Sequence, residues 1–192
     1  MTAPKALFLD RDGVINVDTG FVWQAEKFVF NDGVFEACRR ARALDYLLVV
    51  VTNQSGIGRG LYTEDDFHNL SDWMCSRFAA EGVEIAKVCF APTHPIHGQG
   101  RYRVESADRK PGPGMILKAQ AEFGLDLGES ALVGDRETDI RAALAAGVCH
   151  KLLIPHHEEA PKVSQADAVV RSLSEAIDWL EGAESRVFNE KT

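Results

Sequence analysis

Four short clusters in this 192-residue chain hold residue types that can do chemistry together. The first is Asp10-Arg11-Asp12-Gly13. Residues two apart in an extended segment project to the same side, so both carboxylates can face one site. Carboxylates that close repel unless a cation lies between them or one holds a proton, and either outcome suits catalysis. The second cluster is Thr52-Asn53-Gln54-Ser55-Gly56, running on through Gly58 and Gly60. It offers a hydroxyl, and glycines that let backbone N–H groups approach an anion. It lacks the Gly-x-x-x-x-Gly-Lys-Ser/Thr of a nucleotide-binding loop, and Gly56-Ile57-Gly58-Arg59-Gly60 does not fit the dinucleotide spacing. The third, Arg109-Lys110-Pro111, supplies two cations for phosphate groups. The fourth, Gly134-Asp135 with Asp139 four residues on, can complete an oxygen-rich site for a hard cation such as Mg2+. Taken singly, each has an ordinary explanation: a cap or turn, a turn-rich loop, a solvated charged pair, a helix N-cap.

The surrounding pattern decides whether the four can meet. Short apolar runs at Ala6–Leu9, Leu47–Val51, Val83–Phe90, Ser130–Val133 and Lys151–Ile154 alternate with helical periodicities. Val34–Leu44 carries apolar or small residues at helical spacing. Thr63 with Asp66 reads as a capping box opening a helix with Phe67, Leu70, Met74 and Phe78 on one side. That stripe suits core packing better than a partner surface. Helices are expected at about Pro113–Phe123, stopped by Gly124, and at Thr138–Ala146, closed by Gly147. Ser172 and Glu175 can cap a last helix bearing Leu173, Ile177 and Leu180. A strand–helix alternation repeated five times implies an α/β fold, a Rossmann-like three-layer sandwich around a parallel sheet. Such sheets bind ligands beyond the carboxyl ends of their strands. All four clusters fall there, in order. One domain over residues 1–182 is expected, with a polar tail over 183–192.

Composition narrows the function classes. Hydrophobic residues make up 45% and the net charge is −8, so a full core is available and nucleic acid is not the expected partner. The four cysteines, Cys38, Cys75, Cys89 and Cys149, form no Cys-x-x-Cys pair and are expected to be reduced. No apolar run approaches the ~20 residues that span a bilayer. Neither a membrane nor a targeting segment is expected, and the location is read as cytoplasmic.

The clusters resemble the four motifs of the haloacid dehalogenase-like phosphatases, matching in order over about residues 5 to 154. Three longer stretches are similar to the D-glycero-D-manno-heptose 1,7-bisphosphate phosphatase family. They are Asp10 through Asp18-x-Gly20-Phe21-Val22, Thr52-Asn53-Gln54-Ser55-Gly56, and Arg109-Lys110-Pro111 through Pro113-Gly114-Met115. Histidinol-phosphate phosphatases share Asp-Arg-Asp-Gly, Thr-Asn-Gln and Arg-Lys-Pro. They lack the stretch around Gly20 and the Pro-Gly-Met ending, and rank second.

The resemblance implies a phosphoric monoester hydrolase in carbohydrate metabolism, acting on a lipopolysaccharide or capsule precursor, with Asp10 as nucleophile and Asp12 as acid and base. Thr52 and Lys110 would hold the transferred phosphate. Mg2+ would be bound by Asp10, Asp135 and the backbone carbonyl of Asp12, with Asp139 in support. Substrate contacts are expected from Asp18, Thr19, Gly20, Phe21, Asn53, Gln54, Ser55, Arg109 and Arg136. The family commonly binds a structural zinc through Cys-x-His and Cys-x-Cys. The matching positions here are Ala91, Thr93, Ser106 and Asp108, so no zinc is expected, and His94 and His97 are read as loop residues. With little chain beyond the core, no large cap domain is expected, and a monomer is favoured. The non-enzyme alternative is a receiver-like phospho-acceptor domain. It fits less well, because a receiver carries its acidic pair and its phosphorylated aspartate on different strands. A catalytically dead scaffold is disfavoured because every motif residue is present.

Overall fold

The computed structural model describes residues 3–155 and 164–190, with side chains through residue 183. Its centre is a six-stranded parallel sheet: β1 (Lys5–Leu9), β2 (Tyr46–Asn53), β3 (Ile85–Ala91), β4 (Ala131–Gly134), β5 (His150–Leu153) and β6 (Ala168–Val169). The strand order is β3-β2-β1-β4-β5-β6. The order reverses between β1 and β4, the place where open α/β sheets form their ligand crevice.

Alternation along β1 explains the three layers. Leu7 and Leu9 pack to one face, with α1 (Val34–Ala43), α3 (Glu64–Ala80) and α6 (Leu173–Glu190). Ala6 and Phe8 pack to the other, with α4 (Gly114–Phe123) and α5 (Glu137–Ala146). A strand covered on both faces must be apolar wherever it is covered, as Ala6–Leu9 are. The stripe Phe67, Leu70, Met74, Phe78 is buried. Thr63 and Asp66 form the expected capping box, and Gly124 and Gly147 close their helices in the left-handed conformation. All four cysteines are free.

Three features depart from expectation. A sixth strand is present; at two residues, one of them exposed, β6 is too short to show a period. A one-turn helix, α2 (Ser55–Gly58), begins directly after β2 where a glycine-rich loop was read. The backbone of α6 continues through Gly182 to Glu190, over most of the stretch read as a tail. Among the described residues no second domain covers the strand ends, and no helix is long and apolar enough to cross a membrane.

Candidate active site

The carboxyl ends of β1, β2 and β4, with the loop after β3, enclose a cavity of about 470 Å³. That volume suits a small metabolite. Its floor is acidic. Asp10, Asp135 and Asp139 are buried, and each offers an oxygen within 4.8 Å of the others. Asp10 follows β1, and its N–H continues the ladder by donating to Val133 O at 3.0 Å. Three residues on, Gly13 has φ +88°, and a Cβ there would lie 2.6 Å from Asp135 Oδ2. Glycine is therefore required twice over, for its backbone and for the space the carboxylate occupies.

The Lys110 ammonium lies buried among these acids, 2.9 Å from Asp10 Oδ2 and 2.5 Å from Asp139 Oδ1, and donates to Val51 O. Asp139 Oδ2 accepts from the Arg136 N–H at 2.9 Å, so both of its oxygens are committed. Three carboxylates against one buried ammonium leave the floor short of positive charge. Burial raises the Asp10 carboxyl well above the usual range; Lys110 opposes this, and Asp139 and Asp135 add to it. Asp135 is pushed up to about 7 by burial first and then by Asp139.

Asp12 is held from several sides. Arg11 Nη2 reaches both of its oxygens at 2.9 Å, and Asn16 Nδ2 donates to Oδ1 at 3.0 Å. Arg11 is itself buried, near the Phe28 and Phe67 rings, and donates to Val22 O. Gln54 Nε2 donates to Asp12 Oδ2 at 3.1 Å and to Thr52 Oγ1 at 2.8 Å. Its Oε1 accepts from the Tyr62 hydroxyl at 2.5 Å. Tyr62 is pushed up to about 12, by burial first, with Arg11 opposing and Asp12 adding. It therefore keeps its proton at neutral pH.

The rim is basic. Arg59, His94 and Arg109 lie with Phe21 and Ser55 around the opening, and Arg136 lies beside Asp18. Arg136 Nη2 donates to Asp18 Oδ2 at 3.1 Å, and its Nε is 3.5 Å from Asp135 Oδ2. Gly20 and Phe21 both have positive φ, +81° and +47°, and the Arg59 guanidinium sits 5.6 Å from the Phe21 ring. A positive φ is costly for a bulky residue.

Most residues expected from sequence meet here: Asp10, Asp12, Asp18, Gly20, Phe21, Thr52, Asn53, Gln54, Ser55, Arg109, Lys110, Asp135, Arg136 and Asp139 all line the cavity. Thr19 is not among the lining residues. Two of the expected substrate contacts have their polar groups engaged by the protein. Asn53 clasps the Lys110 backbone, donating to its carbonyl and accepting from its N–H, both at 3.0 Å. Gln54 spends its amide on Asp12, Thr52 and Tyr62. Sequence reasoning missed Arg11, Arg59, Tyr62, Thr138 and His94, the last read only as a loop residue. Arg59 stood between Gly58 and Gly60 and could have been found there; Tyr62 had no local signal.

The loop between β3 and α4 is tied to α2 and to itself. Gly58 N donates to Pro92 O, Gln99 N to Gly58 O, and His94 N to Tyr102 O. His94 Nδ1 accepts from the Ile96 and His97 amides, which leaves Nε2 as the N–H of the neutral ring. At the positions matching the family's zinc ligands, Ala91 is buried in β3 and Thr93 O accepts from Arg109. Ser106 Oγ accepts from the Asp108 N–H, and the Asp108 carboxylate pairs with Lys118.

A family model described as HAD-hydrolase-like matches residues 107–176. A D-glycero-alpha-D-manno-heptose-1,7-bisphosphate 7-phosphatase from Burkholderia mallei is 59% identical over 178 residues, covering 93% of this chain and 94% of that protein. A beta-anomer counterpart from Vibrio cholerae is 45% identical over 91% of this chain and 93% of its own length. The structure of D,D-heptose 1,7-bisphosphate phosphatase from B. bronchiseptica, complexed with magnesium and phosphate, superposes with a TM-score of 0.80 at 28% identity. It covers 93% of this chain and 99% of that one. With the four motifs gathered at one crevice and these relatives matched nearly end to end, the chain belongs to the haloacid dehalogenase-like phosphatases, in the heptose 1,7-bisphosphate phosphatase family.

Proposed function

We propose that this chain is a Mg2+-dependent phosphatase that removes the 7-phosphate of D-glycero-D-manno-heptose 1,7-bisphosphate through a phosphorylated Asp10. The observation that carries the reading is the acidic floor with its one ammonium, set beneath a basic rim. The 59% identity to a relative named for the alpha anomer, against 45% to one named for the beta, supports the alpha anomer as the preferred substrate.

The donor set suits Mg2+, a hard cation that takes oxygen ligands. Because Asp139 is engaged by Lys110 and the Arg136 N–H, the ligands from this chain would be Asp10, Asp135 and the Asp12 carbonyl. When bound, Mg2+ offsets the repulsion between the attacking carboxylate and the phosphate. Asp10 attacks phosphorus, forming an acyl phosphate as the bond from phosphorus to the sugar oxygen breaks. Asp12 gives that oxygen a proton. Water then attacks the acyl phosphate and passes a proton to Asp12, releasing phosphate and restoring both residues. Thr52 and Lys110 hold the equatorial oxygens, the positioning and electrostatic role that phosphoryl transfer needs. Arg59, Arg109 and Arg136 hold the second phosphate at the rim, with Asp18 and Phe21 beside the sugar.

A kinetic panel with Mg2+ tests the substrate: both heptose 1,7-bisphosphate anomers, histidinol phosphate and fructose 1,6-bisphosphate. The alpha anomer should have the highest kcat/KM. A preference for histidinol phosphate would overturn the substrate but leave the reaction class. Asp10→Asn should lower turnover at least about a thousandfold with the fold intact. Wild-type turnover in that variant would end the nucleophile assignment. A stable phosphoprotein that never turns over would favour the receiver-like alternative.

A further inference from the structure

Between the cavity and the core a hydrogen-bonded chain runs from Tyr62 through Gln54 to Asp12 and Thr52, and the reaction above gives Tyr62 and Gln54 no part. We propose that Tyr62 is a positioning residue that fixes the orientation of the Gln54 amide, so that Asp12 and Thr52 each face a donor. The inference rests on the role of Asp12 as proton donor to the leaving group.

A primary amide has an accepting end and a donating end, and which way it points is set by its neighbours. On one side of Gln54 stands the Tyr62 hydroxyl, whose proton is met by Oε1 at 2.5 Å. On the other side the two hydrogens of Nε2 divide between Asp12 Oδ2 and Thr52 Oγ1. Two consequences follow. Thr52 Oγ1 already accepts from the protein, so its own proton is left to donate to a phosphate oxygen. Among the described residues Asp12 meets only donors, from Arg11, Asn16 and Gln54. A proton arriving on Asp12 therefore has no acceptor behind it and is delivered to the leaving oxygen.

A flipped amide would reverse this. Its carbonyl oxygen would accept the Asp12 proton and draw it away from the substrate. Tyr62 disfavours that state, because its hydroxyl would have to turn to accept from the amide N–H and would lose Oε1, the acceptor its proton now meets. The fold is built to hold Tyr62 in place. A Cβ at position 56 would lie 2.1 Å from its ring, so Gly56 makes room for it, and Trp23 stacks against it at 6.2 Å. The ring also packs with Ile57 and Phe67 in a small cluster of its own.

Tyr62→Phe removes the hydroxyl and keeps the ring, so it tests the proposal with little change in packing. Kinetics would be measured on heptose 1,7-bisphosphate, whose leaving alkoxide needs a proton, and on p-nitrophenyl phosphate, whose leaving group does not. Tyr62→Phe should lower kcat on the sugar phosphate about tenfold, and on the aryl ester several-fold less. In a Gln54→Met background the same change should cost nothing further, because Tyr62 acts through that amide. An equal fall on both esters, no fall on either, or additive losses in the double variant would each overturn the proposal. Asp12→Asn on the same two esters separates this from the parent reading. If Asp12→Asn discriminates between them and Tyr62→Phe does not, the positioning role fails and the role of Asp12 stands. If Asp12→Asn shows no discrimination, the parent reading fails as well.

Discussion

Withdrawing the metal should give this protein a stability that rises as the medium becomes more acidic, the reverse of ordinary acid denaturation. The cause is the crowded floor. Asp135 is raised from 3.8 to about 7 by burial and by Asp139, and Asp10 is raised in the same direction. A carboxyl whose folded pKa exceeds its unfolded one binds more protons when folded. Its contribution is complete below the unfolded value and lost as pH rises through the folded one. Between about pH 8 and about pH 6, Asp135 alone contributes on the order of 1 kcal/mol to the metal-free fold. For a chain of this length that corresponds to a rise in Tm of about 2–4 °C, and Asp10 adds in the same direction. With Mg2+ saturating, both carboxylates stay ionised and the rise should vanish. The assay is thermal unfolding by circular dichroism across that range, in chelator and in excess Mg2+. Asp135→Asn serves as the control that should lose the Asp135 part of the rise and most of the response to Mg2+. A metal-free Tm that is level or falls as pH drops toward 6, or an unchanged rise in Asp135→Asn, would refute the reasoning.

Three further outcomes can be checked separately. Arg11→Ala leaves the Asp12 carboxylate without its bidentate partner and empties a buried site near two aromatic rings. It should cost about 3–5 kcal/mol in urea unfolding. Gly56→Ala sets a methyl group against the Tyr62 ring. A loss of about 1–3 kcal/mol together with lower turnover is expected, read by melting and steady-state kinetics on one preparation. Arg136→Ala removes a rim cation held by Asp18. It should raise KM for the bisphosphate about tenfold and leave that for a monophosphate ester nearly unchanged, because only the former presents a second phosphate.

The sequence by itself determined the architecture and the chemical floor. Each strand–helix unit declares itself within about ten residues through its own period, and a parallel sheet sends every strand end to the same edge. Asp10, Thr52, Lys110 and Asp135 could therefore be placed together before any coordinates, and the Thr63–Asp66 cap was legible because it is a local hydrogen-bond pattern. Tertiary structure alone decided what each polar group does once it is there. Asn53 and Gln54 read as substrate contacts, yet one clasps the Lys110 backbone and the other spans Tyr62 and Asp12. Arg11, given no role in the sequence reading, is a buried clamp on one of the two aspartates that flank it. These roles depend on partners far along the chain, such as Lys110 for Asn53, and on which end of an amide faces which neighbour. Residue type and spacing fix where a strand ends; only packing in three dimensions fixes whom a side chain meets there.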